Sequence, residues 1–314
     1  MQTSAAPTRI RAKQRLGDVL FSGAALAAGI MILVALAAVT IFLIAQSLPA
    51  LVADPADVSK DGRGFWSYVG PLVFGTVWAA ALALLFALPL SVGIALFISH
   101  YAPRRVAVTL GYIVDLLAAV PSVVFGLWGI TVLAPAMQPV YSGLVDTLGW
   151  IPLFAGPVSG TGRTVLTVAI VLAVMILPII TALAREVFLQ TPRLHEEAAL
   201  ALGATRWEMI RMAVLPFGRP GLISATMLGL GRALGETMAV AMVLSPSVII
   251  SFALLTSQNP TTIAANIALN FPEASGIGVN VLIATGLILF LITLLVNSLA
   301  RFIINRRKEF SGAN

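Results

Sequence analysis

Arg232 and Glu236 are ionisable residues placed inside an apolar run, LGLGRALGETMAV, within a stretch Leu222–Leu244 long enough to cross a bilayer. At i and i+4 they would share one face of a helix, about midway along it, too deep for either to snorkel easily to an interface. A charge at that depth costs on the order of several kcal/mol unless it is paired or meets water, so function is the default reading. Arginine stays protonated, and its planar fork of donors suits an oxyanion presenting two oxygens. Half neutralised by a carboxylate, it would attract an anion without trapping it, as a conduction path requires. The plainer alternative is an Arg–Glu pair that only locks helices. The order of the two residues is against it, since a carboxylate preceding the cation is the better helical arrangement, and a buried pair adds little net stability. Gly231 and Gly235 form a neighbouring ridge, about 100° around the helix, on which another backbone can pack closely.

The rest of the chain must hold this face in a membrane. Hydrophobic residues make up 59% of the sequence and charged ones 10%, which fits an all-α integral membrane protein and not a soluble domain. The short alternating segments of a membrane barrel are missing. With no cysteine there is no disulfide or thiolate metal site, and no cofactor or metal is expected. The net charge of +6 gathers at helix ends, where it sets orientation; it does not indicate nucleic acid. The only lysines, Lys13, Lys60 and Lys308, lack the glycine-rich context of a phosphate loop, so the chain is not expected to be an enzyme or to hold ATP.

Read in order, residues 1–18 are a basic arm with Arg9, Arg11, Lys13 and Arg15, followed by a transmembrane region over 19–304 and a tail over 305–314. Six spans are expected: Val19–Leu48, Val69–Ser99, Val108–Leu133, Arg163–Ala184, Leu222–Leu244 and Ile277–Ile304. The first is too long for a signal-peptide core. Asp115 falls inside the third, about two turns from its start, where a helix N-terminus and interfacial water favour a carboxylate over a place in a conduction path. Ala134–Gly162 reads as a Pro- and Gly-rich loop with Trp150 as an interface anchor, and Ser245–Gly276 as two short interfacial or re-entrant pieces broken at Ser257-Gln258-Asn259-Pro260. His100 reads as an interfacial residue, not a ligand. Six spans put both termini on one side, together with Arg104, Arg105, Arg185, Arg193, Arg206, Arg211, Arg219, Arg301, Arg306, Arg307 and Lys308. Only Lys60, Arg63 and Arg163 lie opposite, which makes the termini cytoplasmic.

Residues 185–219 read as a cytoplasmic hairpin. Thr191-Pro192 has the form of an N-cap followed by a first-turn proline, and Gly203 can end the first helix in the left-handed conformation. Thr205-Arg206-Trp207-Glu208 has capping-box spacing for a second helix, which Pro216 and Pro220 would separate from the fifth span. Trp207, Met209 and Ile210 beside charges suit either a partner's groove or a lipid surface.

Glu197-Ala198-Ala199, three residues, Gly203, nine residues and then Ala213-Val214-Leu215-Pro216 resembles the EAA loop of ABC importer permeases, with Ala213 where that family usually has Ile. GLGRALGETMAV is similar to the fifth-helix segment of PstC-type permeases of phosphate importers. The resemblance implies a type I ABC importer permease fold and a hairpin whose Glu197, Ala198, Ala199, Gly203, Thr205 and Trp207 couple to an ATPase. It also implies Arg232 and Glu236 in the phosphate path. The partners implied are a PstA-type second permease forming a heterodimer, two copies of the ABC ATPase, an extracytoplasmic phosphate-binding protein received by the outer loops, and the bilayer of a bacterial inner membrane. The open alternatives are the PstA-type role, a permease for sulfate or molybdate, a proton-coupled secondary transporter using Asp115 and Glu236, and a non-transporting scaffold.

Overall fold

The computed structural model describes residues 16–59 and 61–308. The basic arm with Arg9, Arg11, Lys13 and Arg15, Lys60 and the end of the tail lie outside the described residues. Six helical stretches are long and apolar enough to cross a membrane: Leu20–Val52, Phe65–Tyr101, Ser122–Leu148, Val165–Leu189, Arg206–Gly235 and Ile277–Ile303. The chain is a multi-pass membrane protein. Its elements are α1 (Leu16–Val52), α2 (Pro55–Val58), α3 (Phe65–Leu96), α4 (Arg104–Ala118), α5 (Ser122–Trp128), α6 (Ala134–Leu148) and α7 (Val165–Leu189). They continue with α8 (Arg193–Ala201), α9 (Arg206–Met209), α10 (Leu215–Gly235), α11 (Met238–Val243), the strands β1 (Pro246–Ser247) and β2 (Asn259–Pro260), α12 (Ile263–Asn270) and α13 (Ile277–Lys308).

Lipid gives apolar helices no hydrophobic reason to associate, so close packing of small residues must do it. Helix α7 is the centre, with α3 on one flank and α10 on another. On α3, Ala79, Ala80, Ala83 and Ala87 are buried, and Ser91 reaches across to donate to the Leu177 carbonyl at 3.1 Å. On α10, Gly229 lies against Ile180 so closely that an added Cβ would come within 2.7 Å of it. Helix α1 is peripheral; most of its apolar side chains stay exposed, and it packs on α13, where Asn280 donates to the Gln46 carbonyl at 2.7 Å.

Three π-helical turns recur with one sequence signature. Phe97–Tyr101, Gly129–Leu133 and Ile210–Val214 are each followed, two residues on, by a proline: Pro103, Pro135 and Pro216. Proline offers no N–H and its ring collides with the carbonyl four residues back. Widening the preceding turn to i+5 bonds, as from Leu215 N–H to Ile210 O, moves that carbonyl aside.

Several boundaries differ from those expected. The third crossing is Ser122–Leu148, not Val108–Leu133. Pro121 ends α4 by disfavouring helical backbone before it, while the wide turn at Gly129–Leu133 carries the helix past Pro135 into the stretch read as a loop. Trp150 follows that helix and is exposed. The long helical stretch of the fifth span is Arg206–Gly235: the second hairpin helix runs on into it, and it stops short of the expected end at Leu244. Pro216 and Pro220 do not separate it from the hairpin, because the wide turn Ile210–Val214 lets the helix run past Pro216 without a break. Asp115 is not near a helix start but in the last turn of α4, 3.9 Å from Arg185 of α7. Thr191 is not the N-cap of the first hairpin helix; Pro192 holds that position and the buried Thr191 hydroxyl makes no hydrogen bond. In Ser245–Gly276 the first expected piece, Val248–Leu255, forms no helix, while the second is the short helix α12, buried against α11, α3 and α13.

Gly229→Leu should push α10 off α7 and destabilise the chain by about 1–3 kcal/mol. Gly231→Ala, whose new methyl meets open space within the chain, should leave it within about 0.5 kcal/mol. Thermal unfolding of the two variants in detergent measures the contrast.

Candidate functional site

The stretch around Arg232 is not one continuous helix. Helix α10 ends at Gly235, Glu236 is extended (φ −68°, ψ 124°), and α11 begins at Met238. Arg232 and Glu236 therefore do not share a helical face, and among the described residues Arg232 forms no ion pair with Glu236 or with any other carboxylate. Three glycines in the last turns of α10 and the polar pair Glu236-Thr237 supply the reason. Glycine weakens the helix, and the two side chains offer the backbone other partners.

Each charge is matched to the helix end it occupies. Arg232 lies in the last turn of α10, where the helix dipole favours a cation. Its side chain is half-buried, and its Nε is fully buried without a hydrogen-bond partner. Glu236 is 8% exposed, and its Oε1 accepts the Ala239 N–H at 3.1 Å, serving one of the orphan donors at the start of α11. Thr237 donates to the Gly235 carbonyl at 3.1 Å. What remains unsatisfied at the break is a guanidinium donor.

The other end of α11 is held by a residue that the sequence marked only as a charge on the minority side. Arg163, just before α7, donates to the carbonyls of Met242, Val243 and Leu244 at 3.1, 3.2 and 3.1 Å. Asn259 of β2 accepts the Val165 N–H at 3.1 Å and donates to the Arg163 carbonyl at 3.1 Å, fastening the same corner. Gly126 and Gly129 complete the seat, since a Cβ at either would meet Ala239 or Val243. The one local hint of this corner was the polar break Ser257–Pro260; the long-range partners left no spacing to read.

At Gly231 and Gly235, the residues of the expected packing ridge, an added Cβ would meet open space among the described residues. They continue an open stripe on α10 that includes Phe217, Ser224 and Leu228. None of the described residues packs closely on this ridge.

At its central turn the hairpin follows its local sequence. The N–H of Ala204 bonds the Ala199 carbonyl at 3.2 Å and that of Gly203 the Leu200 carbonyl at 3.0 Å, with Gly203 at φ +85°. This is a Schellman closure that glycine adopts without strain. Thr205 and Glu208 form both bonds of a capping box. Met209, Ile210 and Val214 pack with Ala95, Leu96, Ala184 and Phe188, anchoring the hairpin to the ends of α3 and α7. His100, read as interfacial, ties in too: its Nε2 is 3.5 Å from Glu196 and its Nδ1 is 2.7 Å from the Ser99 hydroxyl. Glu197, Ala198, Leu202, Thr205 and Trp207 remain exposed on the outer side, Leu202 at 90% and Trp207 at 55%.

Residues 87–309 match the family model described as binding-protein-dependent transport system inner membrane component. The chain is 47% identical to the phosphate transport system permease protein PstC 2 of Mycobacterium tuberculosis over 300 residues, covering 92% of each. It is 41% identical to the corresponding PstC protein of Mesorhizobium japonicum over 308 residues, covering 95% of this chain and 93% of that one. Among solved structures, a bacterial ABC transporter involved in alginate import has a similar fold, with TM-score 0.63 at 19% identity, over 92% of this chain and 96% of that one. A methionine ABC transporter in an inward-facing conformation aligns with TM-score 0.51 at 18% identity, over 77% and 94%.

Arg163→Ala should free three carbonyls and cost about 2 kcal/mol locally. Hydrogen exchange of the α11 amides should then accelerate by roughly 30-fold, while the amides of α3 and α7 keep their protection.

Proposed function

Since the chain belongs to the family of binding-protein-dependent transport system inner membrane components, we propose that it is the PstC-type permease subunit of an ATP-driven importer of inorganic phosphate. It forms half of the translocation path beside a PstA-type permease. Two ATPase subunits sit under the hairpin, and an extracytoplasmic phosphate-binding protein delivers the anion. The names of the mycobacterial and rhizobial relatives support phosphate over sulfate or molybdate and the PstC role over PstA. Both termini and the hairpin are cytoplasmic in this reading, following the bias of Arg and Lys.

The observation that carries the mechanism is the unpaired guanidinium of Arg232 at the break between α10 and α11. A donor left free at membrane depth is costly at rest and is satisfied when an oxyanion passes. Glu236 keeps the break open by capping α11 and lowers the local positive potential, so that the anion can leave. The stripe through Gly231 and Gly235 is where the second permease faces this chain. ATP-driven movement of the subunits below enters through exposed Trp207 and Leu202 and reaches α3 and α7 through Met209 and Ile210. The proton-coupled alternative loses its two candidate sites, because Asp115 lies beside Arg185 and Glu236 serves a backbone N–H.

Arg232→Gln should reduce phosphate uptake by at least about 100-fold, the scale of losing a charge-assisted bond of roughly 3 kcal/mol, while the complex still assembles. Uptake near wild-type by the assembled variant would refute the pathway role. Trp207→Ala should leave this chain folded and lower the amount of ATPase subunit recovered with it in mild detergent. Full recovery would place the docking surface elsewhere.

A further inference from the structure

Helix α8 carries the Glu197-Ala198-Ala199 motif but is barely seated on the bundle. Of its nine residues, Arg193–Ala201, only Glu196 and Ala199 are less than exposed. Three apart, they share the face turned inward. Ala199 adds one methyl to the apolar cluster around Phe188, whose buried hairpin members, Met209, Ile210 and Val214, all follow the turn at Gly203. Residues 190–192 tie the start of α8 to the end of α7. The apolar cluster therefore holds the second half of the hairpin, and the first half depends on Glu196.

Its partner is His100, in the wide turn Phe97–Tyr101 that follows α3. The ring Nε2 lies 3.5 Å from Glu196 Oε1, and the two side chains are 8% and 23% exposed. Among the described residues no other cation pairs with Glu196. The second ring nitrogen is held in place. The Ser99 hydroxyl donates to the Ala95 carbonyl at 2.8 Å, so its oxygen is free to accept the Nδ1 N–H at 2.7 Å. With Nδ1 donating there, a proton on Nε2 makes the ring a cation facing a carboxylate. Glu196 also sits in the first turn of α8, where the helix dipole favours negative charge. Removing the ring leaves that carboxylate half-buried and alone, a cost that α8 relieves by swinging out to water.

We propose that His100 is a positioning residue for energy coupling. It holds Glu196, and with it the motif helix α8, against the end of α3, so that both halves of the hairpin move with the bundle. This rests on the permease reading above, in which ATPase subunits bear on the hairpin. Glu197 and Leu202, on the outer side of the first half, are exposed where that push arrives. With the pair intact α8 does not yield, and the push reaches α3 through His100 as well as through Leu96. With the pair gone α8 pivots between residues 190–192 and the turn at Gly203 and absorbs part of the stroke. His100 meets Glu196 from the inner side, so its loss leaves the outer docking surface in place.

The test uses the complete importer in proteoliposomes with phosphate-loaded binding protein, reading phosphate moved per ATP hydrolysed. His100→Ala and Glu196→Ala should each lower that ratio by about fivefold or more, while ATP hydrolysis continues and the ATPase subunit is recovered in full. The double variant should be no lower than either single one, because the two residues act as a pair. His100→Arg, which keeps a cation opposite Glu196, should hold the ratio within about twofold of wild type, whereas a purely steric role of the ring predicts the alanine value. A wild-type ratio in both alanine variants, losses that multiply in the double variant, or no rescue by His100→Arg overturns the assignment and leaves the permease reading standing. A wild-type complex that hydrolyses ATP without moving phosphate overturns both. Should the alanine variants fail to assemble, His100→Gln and Glu196→Gln, which keep the side-chain size, decide by the same ratio, with about a threefold loss expected and a wild-type ratio refuting the assignment.

Discussion

The carboxylate of Glu236 answers a backbone N–H that the chain itself orphans by breaking a helix inside the membrane. Nothing in hydrocarbon would satisfy that group, so a break at this depth survives only if the protein supplies partners. Glu236 supplies one at the start of α11, Thr237 turns back on the Gly235 carbonyl, and Arg163 closes the far end with three bonds. The glycines at 126 and 129 let α5 and the turn after it lie against this short segment. With the backbone satisfied by others, Arg232 is left over, its buried Nε met by no acceptor among the described residues.

The same constraint explains the π-helical turns. A proline in a spanning helix leaves a carbonyl without its donor and crowds it. The chain meets this problem at Pro103, Pro135 and Pro216 with one device, a wide turn placed just ahead of the ring. Two of these turns join helices that hydropathy alone would cut apart, which is why α9 runs on into α10 and why the third crossing ends at Leu148.

Features that depend on neighbours in sequence were legible. Gly203, the Thr205–Glu208 capping box and the apolar spans all follow from short-range rules of backbone conformation and hydropathy. The charges of Arg232 and Glu236 were legible as a site but not as a geometry, because an i, i+4 argument presumes the helix that Gly235 and Glu236 interrupt. Asp115 was misplaced because an averaged hydropathy window passes over the stop at Pro121. Arg163 and Asn259 were out of reach for a different reason: their partners lie 79 to 81 and 94 to 96 positions away, and only the folded chain brings them together.

Helix α7 links the two regions that matter most. Its 25 residues rise about 37 Å. At one end Phe188 lies under the hairpin, and at the other Arg163 grips the carbonyls of α11. A beam fixed at both ends behaves as a seesaw: tilting it by about 5° about its middle carries each end some 1.6 Å, in opposite senses, for a helix of about that length. A shift of that size at the hairpin would thus arrive, reversed, at the carbonyls of Met242, Val243 and Leu244.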